Sequence, residues 1–402
     1  MKPFHALLGA SAGTHVADQM ALATLPLTAT LVLGASPGTL GLLVAAQSAA
    51  WLLVSLPAGT WVDRLPRRSL LVVALSLALV ASLTAVAAAA LQLTLLLGLA
   101  AFIGASGTVV YVLTSISVLP SLVASADLPR ANARLELARA LVSFAAPSAA
   151  GLLAQLLSPT WGYALAALGA ALAVACVLAL PKAPAPMTAG ARPSLASAIK
   201  VGAAFVIGHP LLRGISLCAI FWNFAFFSLL AIWAPLALGI LKLDPAAMGL
   251  AQSALGAGLI LGALTAPYSS RWLPPLVTLI FGPAISVVGI ALFLIAPQSS
   301  GPAVPAAGFF LIGFGPMLWA ICQTTVRQLV TPAHMQGRVN ATIQTATYGV
   351  RPLGALVAGA LAAHSGVEAA LVLVAVSFVL STLAILVSPL ARLQAMPAPA
   401  GA

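Results

Sequence analysis

The chain has 402 residues, of which 62% are hydrophobic and only 6% are charged. Soluble domains carry about 25% charged residues, so this composition excludes an ordinary soluble protein. Long continuous apolar runs also exclude a transmembrane β-barrel, whose strands alternate apolar and polar residues. The net charge of +11 does not indicate nucleic-acid binding, because the basic residues are scattered and form no basic stripe. The class of protein that fits the composition is a polytopic helical membrane protein.

Twelve apolar runs are long enough to cross a bilayer as helices, which takes about 20 residues. The first run contains Asp18 and is too long for a signal-peptide core, so we interpret it as an uncleaved first helix. The sequence therefore predicts an all-α protein with twelve transmembrane helices, at about 5–33, 38–61, 69–91, 93–119, 136–157, 160–181, 211–240, 245–268, 273–296, 303–328, 339–363 and 367–390.

The basic residues predict the orientation of these spans. With both termini in the cytoplasm, fifteen of the seventeen Lys and Arg residues fall on the inside, while Lys242 falls outside and Arg351 lies within a span. Such asymmetry is a strong topological signal. We therefore expect four segments: a six-helix bundle at 1–181, a cytoplasmic linker with an amphipathic helix at 182–208, a second six-helix bundle at 209–392, and a flexible tail at 393–402.

A short charged segment, Gly59 to Arg68, separates spans 2 and 3. It contains Asp63, Arg64, Arg67 and Arg68, four of the 23 charged residues of the chain within six positions. Because these charges cannot enter lipid, we expect a tight hairpin at a membrane face.

This segment has the pattern Gly-x-x-x-Asp-Arg-x-x-Arg-Arg, which resembles the loop between helices 2 and 3 of major facilitator superfamily transporters. Pro66 replaces the glycine that usually follows the Asp-Arg pair in that family. Related segments precede spans 5 and 11 (residues 130–133 and 338–341), as the two parallel six-helix repeats of this family imply. Within the superfamily, residues 56–59, 119–133 and 336–340 resemble the enterobactin-exporter and macrolide-efflux branch.

The resemblance implies roles for the charged segment. Asp63 would face the cytoplasmic start of span 11, where the helix N-terminus favours an anion. The three arginines would hold neighbouring loops or lipid headgroups and so help to gate the transporter. The alternative is that they only anchor the topology. In span 5, Pro147 and Gly151 resemble a degenerate form of the Gly-Pro-rich motif of drug/proton antiporters, although ordinary helix packing is an equally good explanation.

Three ionisable residues lie at mid-span. An ionised carboxylate is costly at that depth, so Asp18 is a candidate for proton coupling or substrate binding, with a hydrogen-bonded structural acid as the alternative. His15 lies one turn before Asp18 and could share a hydrogen bond with it. Arg351 must be paired or solvated. It could bind an anionic group of a substrate, pair with Asp18, or form an interhelical pair without a transport role.

In this fold, spans 1, 4, 7 and 10 mainly line the pathway, beside spans 2, 5, 8 and 11. Few hydrogen-bonding groups among many aromatic ones suit a bulky, mostly apolar ligand. The cavity-lining candidates are Gln47, Trp51, Tyr111, Thr114, Trp222, Asn223, Phe226, Gln252, Trp319, Gln323, Gln344 and Tyr348.

The expected function is proton-coupled export of a hydrophobic or amphiphilic small molecule by alternating access, in a bacterial inner membrane. Proton-coupled import of a metabolite is the alternative, because a fold does not fix direction. An enzyme is not expected, since the chain has neither a Gly-x-Ser-x-Gly nor a His-Glu-x-x-His motif, and a channel finds no support in the twelve-span repeat. The expected partners are the substrate, protons and lipid. We expect a monomer with no cofactor, metal or nucleic acid.

Overall fold

The computed structural model describes residues 2–124, 127–181, 195–296, 301–332 and 335–398. Over these ranges the secondary structure is helical, as the sequence predicts. The first six helices are α1 (Lys2–Leu31), α2 (Pro37–Arg64), α3 (Arg67–Ala90), α4 (Thr94–Val118), α5 (Leu128–Leu156) and α6 (Thr160–Leu178).

Seven helices follow: α7 (Leu195–Gly208), α8 (Pro210–Ala234), α9 (Pro245–Trp272), α10 (Pro275–Ile295), α11 (Ala303–Val330), α12 (Gln336–Ser365) and α13 (Val367–Leu386). A π-helical turn, Pro235–Ile240, continues α8. The long helices coincide with the twelve predicted spans to within a few residues at most ends. The helix α5 begins eight residues before the predicted span, because the stretch that contains Arg130, Asn132 and Arg134 is helical as well.

The charged segment also differs from its prediction. Its first half is not a loop, because α2 continues through Gly59 and Asp63 to Arg64, and α3 begins at Arg67. The connection is a two-residue turn at Leu65 and Pro66. A proline has a fixed φ and no backbone N–H, so Pro66 ends one helix and precedes the next.

The starts of α2 and α9 are encoded in the same way. The side chain of Ser36 accepts a hydrogen bond from the backbone N–H three residues later, and Asp244 does the same before α9. A proline, Pro37 or Pro245, occupies the first helical position, where no N–H donor is needed. Both helices therefore begin sharply, and they begin at the same end of the bundle.

Helix packing repeats between the two parts of the chain. In the first part, α1 packs on α5 and α6, α3 packs on α4 and α6, and α2 packs on α4. In the second part, α8 packs on α12 and α13, α10 packs on α11 and α13, and α9 packs on α11. Between the parts, the main contacts are α2 with α12 and α5 with α9. We call α1–α6 the N-half and α8–α13 the C-half.

The buried hydrophobic residues show where the halves are joined. One large cluster draws on both halves, and its members lie near the ends of helices that include Pro37, Leu156, Pro245 and Ser365. Toward the opposite ends there are two separate clusters, one from the N-half alone and one from the C-half with α7. We call these the closed end and the split end of the molecule.

Among the described residues, ten helices are long and apolar enough to cross a membrane. Neither α1 nor α12 is among the ten, although each has 30 residues. These are the helices that carry Asp18 and Arg351. Both pack against protein on several sides, α1 on α5 and α6, and α12 on α2 and α8. Their polar residues can therefore be shielded from lipid by neighbouring helices.

Two smaller predicted segments are partly described. Residues 182–194 of the predicted linker lie outside the described residues, whereas α7 forms the predicted helix and packs its Gly202 against the carbonyl of Arg338 in α12. The predicted tail begins in an ordered contact, because the carbonyl of Leu393 accepts a hydrogen bond from the N–H of Leu276 (3.0 Å).

Candidate functional site

The side chain of Arg351 lies at the middle of α12 and contacts α8. Its Nε donates a hydrogen bond to Oδ1 of Asn223 (3.0 Å). The guanidinium lies 4.4 Å from the ring centre of Tyr348 and 5.0 Å from that of Phe227. Aromatic faces attract a cation through the quadrupole of the ring. The positive charge is therefore held between two rings and one amide.

Aromatic side chains surround this arginine from both halves. Trp51 of α2 packs on Tyr348 of α12 with ring centres 5.3 Å apart. Phe226 is in edge contact with Phe227 and stacks on Trp222 at 5.1 Å. Trp222 turns into the C-half, where its Nε1 donates to the hydroxyl of Ser286 (3.1 Å). Arg351 therefore lies beside the seam between the halves, with Trp51 as the aromatic contact from the N-half.

Asp18 lies in a different environment, inside the N-half. Its carboxylate accepts a hydrogen bond from Nε2 of Gln19 (3.0 Å), and the hydroxyl of Thr108 is nearby. The carboxylate borders a narrow cavity of about 30 Å³ between α1, α2, α3, α4 and α6. That space holds on the order of one or two water molecules. Eight alanines line it, so small side chains create the cavity around one acid.

The structure separates the ionisable residues that the sequence grouped together. Asp18 forms no ion pair with Arg351, and the one ion pair among the described side chains joins Arg139 to Glu136. His15 makes no hydrogen bond to Asp18, and it lies toward Glu136 and Arg139 of α5. The two possible contacts of Asp18 raised by the sequence are therefore absent from this conformation.

Gln47 connects the Asp18 cavity with the seam. It lines that cavity and also a smaller one of about 10 Å³, where Trp233 and Gln252 of the C-half are neighbours. Within the described part of the chain, the Oε1 of Gln47 and the Nε1 of Trp233 are buried without a hydrogen-bond partner. Buried polar atoms of this kind are usually satisfied by protein or by water. Polar groups thus continue from Asp18 toward the interface between the halves.

The arginines of the charged segment differ in their contacts. Arg68 donates from Nη2 to the carbonyl of Leu178 (2.6 Å) and from Nε to that of Val177 (3.4 Å), so it caps the C-terminus of α6. The Nε of Arg67 is buried and has no hydrogen-bond partner among the described residues, and Arg64 is exposed. The side chain of Asp63 lies outside the described part of the structure.

Glycines bring the two halves into backbone contact at the closed end. A Cβ placed on Gly41 of α2 would lie 2.7 Å from the carbonyl of Ala355 and 2.8 Å from Cα of Gly359 in α12. A Cβ on Gly59, near the split end of α2, would have no described atom of another helix within 4 Å. The α2–α12 seam is therefore tight at one end and open at the other.

The predicted helix-5 motif lies in the second seam. A Cβ on Gly151 would clash with the carbonyl of Pro245, and a Cβ on Gly249 would clash with the carbonyl of Pro147. The hydroxyl of Ser148 is 2.8 Å from that of Ser253 in α9. These small residues join α5 to α9, and this pair mirrors the α2–α12 pair.

The remaining cavity-lining candidates do not form one site. Tyr111 and Thr114 are 1% and 0% exposed in the N-half, so they belong to the core of this conformation. Trp319 packs over Gly282 with its Nε1 buried, and Gln323 donates to the carbonyl of Ala320 within its own helix. Gln344 is exposed.

Sequence reasoning missed two features of the site. Phe227 was not a candidate, although it follows Phe226 and forms one side of the guanidinium contact. The seam glycines Gly41 and Gly359 were also missed, because a lone glycine in an Ala-rich helix is not distinctive. Their recurrence on paired helices becomes visible only when the packing is known.

Known structures share this architecture. The nucleoside transporter NupG has a TM-score of 0.76 at 15% identity, with 96% of this chain and 99% of that chain covered. A bacterial homologue of the iron transporter ferroportin in an inward-facing state has a TM-score of 0.77 at 15% identity, with 96% and 98% covered. A D-xylose–proton symporter has a TM-score of 0.71 at 14% identity, with 98% of each chain covered. At these identities the likeness concerns the fold alone.

Sequence comparison identifies nearer relatives. The enterobactin exporter EntS of Salmonella choleraesuis is 27% identical over 244 residues, which cover 61% of this chain, and EntS of Shigella boydii is 28% identical over the same length. The chain spans 57% of the length of these curated relatives. The family model of the Major Facilitator Superfamily matches residues 7–355. The chain therefore belongs to the major facilitator superfamily.

Proposed function

We propose that the protein is a proton-coupled exporter of a hydrophobic or amphiphilic small molecule, working by alternating access. Its twelve long helices would form two parallel six-helix repeats in a bacterial inner membrane, with both termini in the cytoplasm and the chain monomeric. The recurrence of the same helix pairs in the N-half and the C-half supports the repeat. The concentration of Lys and Arg on one side supports the orientation.

In this orientation the split end faces the cytoplasm. The separate clusters at that end and the shared cluster at the closed end then describe an inward-open carrier. Closing the split end would bring the charged segment toward the start of α12. Asp63 would meet that helix N-terminus, while Arg64 and Arg67 would contact neighbouring loops or lipid headgroups. The linker with α7 would tether the halves as they move.

The observation that carries the coupling proposal is the position of Asp18 in a small cavity between helices. A carboxylate in such a place can take up and release a proton if water reaches it, and the cavity has room for water. Gln47 and the polar atoms beyond it connect this acid to the seam that must open and close. Protonation of Asp18 would then favour one arrangement of the halves over the other.

Export is favoured over import by the relatives, which are enterobactin exporters over the matched region. A siderophore is one substrate of the proposed class. The alternative is a proton-coupled importer. A D-xylose–proton symporter is among the structures similar to this chain, but that similarity concerns the fold alone.

Growth protection in an efflux-deficient bacterium tests the proposal. Native protein, Asp18→Asn and Glu136→Gln are compared at matched membrane abundance against a panel of apolar and amphiphilic compounds. Glu136 is an exposed acid, so its neutralisation controls for loss of charge. Protection by the native protein and by Glu136→Gln, but not by Asp18→Asn, supports export that depends on Asp18. Absence of protection against every compound contradicts broad efflux.

Uptake into inside-out vesicles then tests coupling. We expect a compound against which the protein protects cells to accumulate in the vesicles when their lumen is acidic. Accumulation should stop when an ionophore collapses the proton gradient. Accumulation that ignores the gradient would contradict proton coupling.

A further inference from the structure

The guanidinium of Arg351 is incompletely satisfied by the protein. It has five N–H donors, and only Nε has a hydrogen-bond acceptor among the described residues. Its terminal nitrogens are not among the buried atoms that lack partners, so they keep accessible surface. No described carboxylate forms an ion pair with it. Four donors and a full positive charge therefore remain for something that is not part of the described chain.

The surroundings hold this group in one orientation. Tyr348 and Phe227 contact the guanidinium, and Asn223 fixes Nε while its own Nδ2 donates to the carbonyl of Ala219 (2.9 Å). A planar guanidinium fixed in this way presents its terminal donors as a fork, which matches the two oxygens of a carboxylate. Preorganisation of this kind is typical of a binding group, since an arginine that only fills space needs no fixed donors.

The location is suitable for a transported molecule. Trp51 of the N-half packs on Tyr348, so the site touches both halves near the middle of the α2–α12 seam. Arg351 lies at the middle of α12, whereas a Cβ on Gly59, near the split end of α2, would meet no described atom within 4 Å. The nearby aromatic rings would pack against a flat apolar group.

We infer that Arg351, held by Asn223, binds the negatively charged group of the substrate, and that the substrate class is organic anions with an aromatic part, such as aromatic carboxylates. This inference rests on the proposed transport function and narrows its substrate. The anionic oxygens accept hydrogen bonds from the terminal nitrogens of Arg351. The aromatic part lies against the rings of Trp51 and Tyr348. Asp18, in its separate cavity, is left free to carry the proton.

The test is thermal unfolding of the purified full chain, followed by a thiol-reactive dye that labels Cys218 and Cys322 as these buried residues become exposed. Three probes are compared: 2-naphthoate, the neutral 2-naphthamide, and acetate. We expect 2-naphthoate to raise the melting temperature saturably, and the other two to have no comparable effect. Arg351→Gln should weaken 2-naphthoate binding by about tenfold or more, because a charge-assisted hydrogen-bond pair is lost.

Arg213→Gln is the matched control, because Arg213 is an exposed arginine on the neighbouring helix α8. It should keep the full response to 2-naphthoate. Arg351→Lys keeps the charge but loses the fork, so we expect intermediate affinity. Any one of three results would overturn the anion site. The first is equal stabilisation of the native protein by 2-naphthoate and 2-naphthamide, and the second is no response of the native protein to 2-naphthoate. The third is that Arg351→Gln still prefers 2-naphthoate over 2-naphthamide as strongly as the native protein does.

The transport assays separate this inference from the proposed function. If export depends on Asp18 while anion selectivity is absent, only the anion site is wrong. If 2-naphthoate binding depends on Arg351 while vesicles show no gradient-driven transport of any compound, the site stands and the coupling proposal is wrong.

Discussion

Arg351 and Asn223 are 128 positions apart in the chain, yet they are joined by a 3.0 Å hydrogen bond between α12 and α8. Asn223 is the residue at which a single substitution can supply the counterion that the described structure lacks. We expect Asn223→Asp to form a short ion pair with Arg351 and to occupy its donors. Binding of 2-naphthoate should fall about tenfold or more, while the melting temperature of the unliganded protein stays the same or rises.

Asn223→Ser is the companion variant, because it removes the amide without adding charge. It should loosen the guanidinium and weaken binding less than Asn223→Asp does. Full retention of 2-naphthoate binding in Asn223→Asp would show that the anion does not contact Arg351.

The alanine-lined cavity can be filled without changing Asp18. In Ala101→Leu the larger side chain would occupy space that water needs, so gradient-driven uptake into inside-out vesicles should fall by about tenfold or more. Overpacking costs about 1–3 kcal/mol, and abundance must therefore be measured alongside. Ala171→Leu makes the same change at an exposed position of α6 and should transport normally. Normal transport in Ala101→Leu would mean that Asp18 does not need this cavity.

The closed end should open when its glycine contact is blocked. In Gly41→Val the new Cβ meets backbone atoms of α12 less than 3 Å away, and backbone cannot move aside as a side chain can. We expect the equilibrium to shift toward a form with this end open. The measurement is labelling of Val44→Cys by an impermeant maleimide in a chain without the native cysteines, since Val44 is only 4% exposed here. Unchanged labelling would contradict a seam that limits opening.

Gly59 provides the opposite test. A Cβ at this position meets no described atom within 4 Å, so we expect Gly59→Val to fold normally. If the split end closes during transport, Gly59 must approach the other half and the valine will obstruct it. We expect lower labelling of Val44→Cys than in the native background, together with loss of transport. Normal transport would limit the charged segment to a role in topology.

Arg68 should contribute to stability through the end of α6. It donates to the carbonyl of Leu178 and, at longer range, to that of Val177, which also accepts from the N–H of Leu180, and its charge complements the helix dipole. Arg68→Ala should lower stability by about 1–3 kcal/mol, seen as a lower melting temperature. Arg64→Ala is the control at an exposed position of the same segment. Equal effects of the two substitutions would rule out the cap.

The sequence predicted the helices well because a bilayer requires long apolar runs, and such runs are visible without knowing the fold. It was less successful where polar residues are helical, as at the start of α5 and in the charged segment, since helices there extend beyond the apolar core. It singled out Asp18 and Arg351 as ionisable residues at mid-span, and their roles stay predictions. It could not show that they lie in separate environments, because the direction of a side chain depends on helix rotation within the bundle.

The contacts of Asn223 and of the seam glycines could not be predicted either, because they also depend on how the helices are rotated in the bundle. A single polar residue or a glycine in an apolar helix gives no indication of its partner on a distant helix. The sequence indicated that Arg351 needs a partner. Whether that partner is a substrate anion, an acidic side chain or an amide side chain could be decided only from the three-dimensional arrangement. The contact of Asp63 with the start of α12 likewise stays a prediction, because that contact would also join two distant helices.

The glycine contacts between the halves have an energetic consequence for the transport cycle. At the points where Gly41 meets Gly359 and Gly151 meets Gly249, backbone lies against backbone, whereas the large hydrophobic cluster of the closed end draws on side chains from both halves. Hydrophobic stabilisation scales with the apolar area removed from water, so parting these backbone contacts exposes little that water disfavours. These backbone contacts allow a close approach that adds little to the hydrophobic stabilisation supplied by the shared cluster, which would favour separation of the halves if they alternate as proposed.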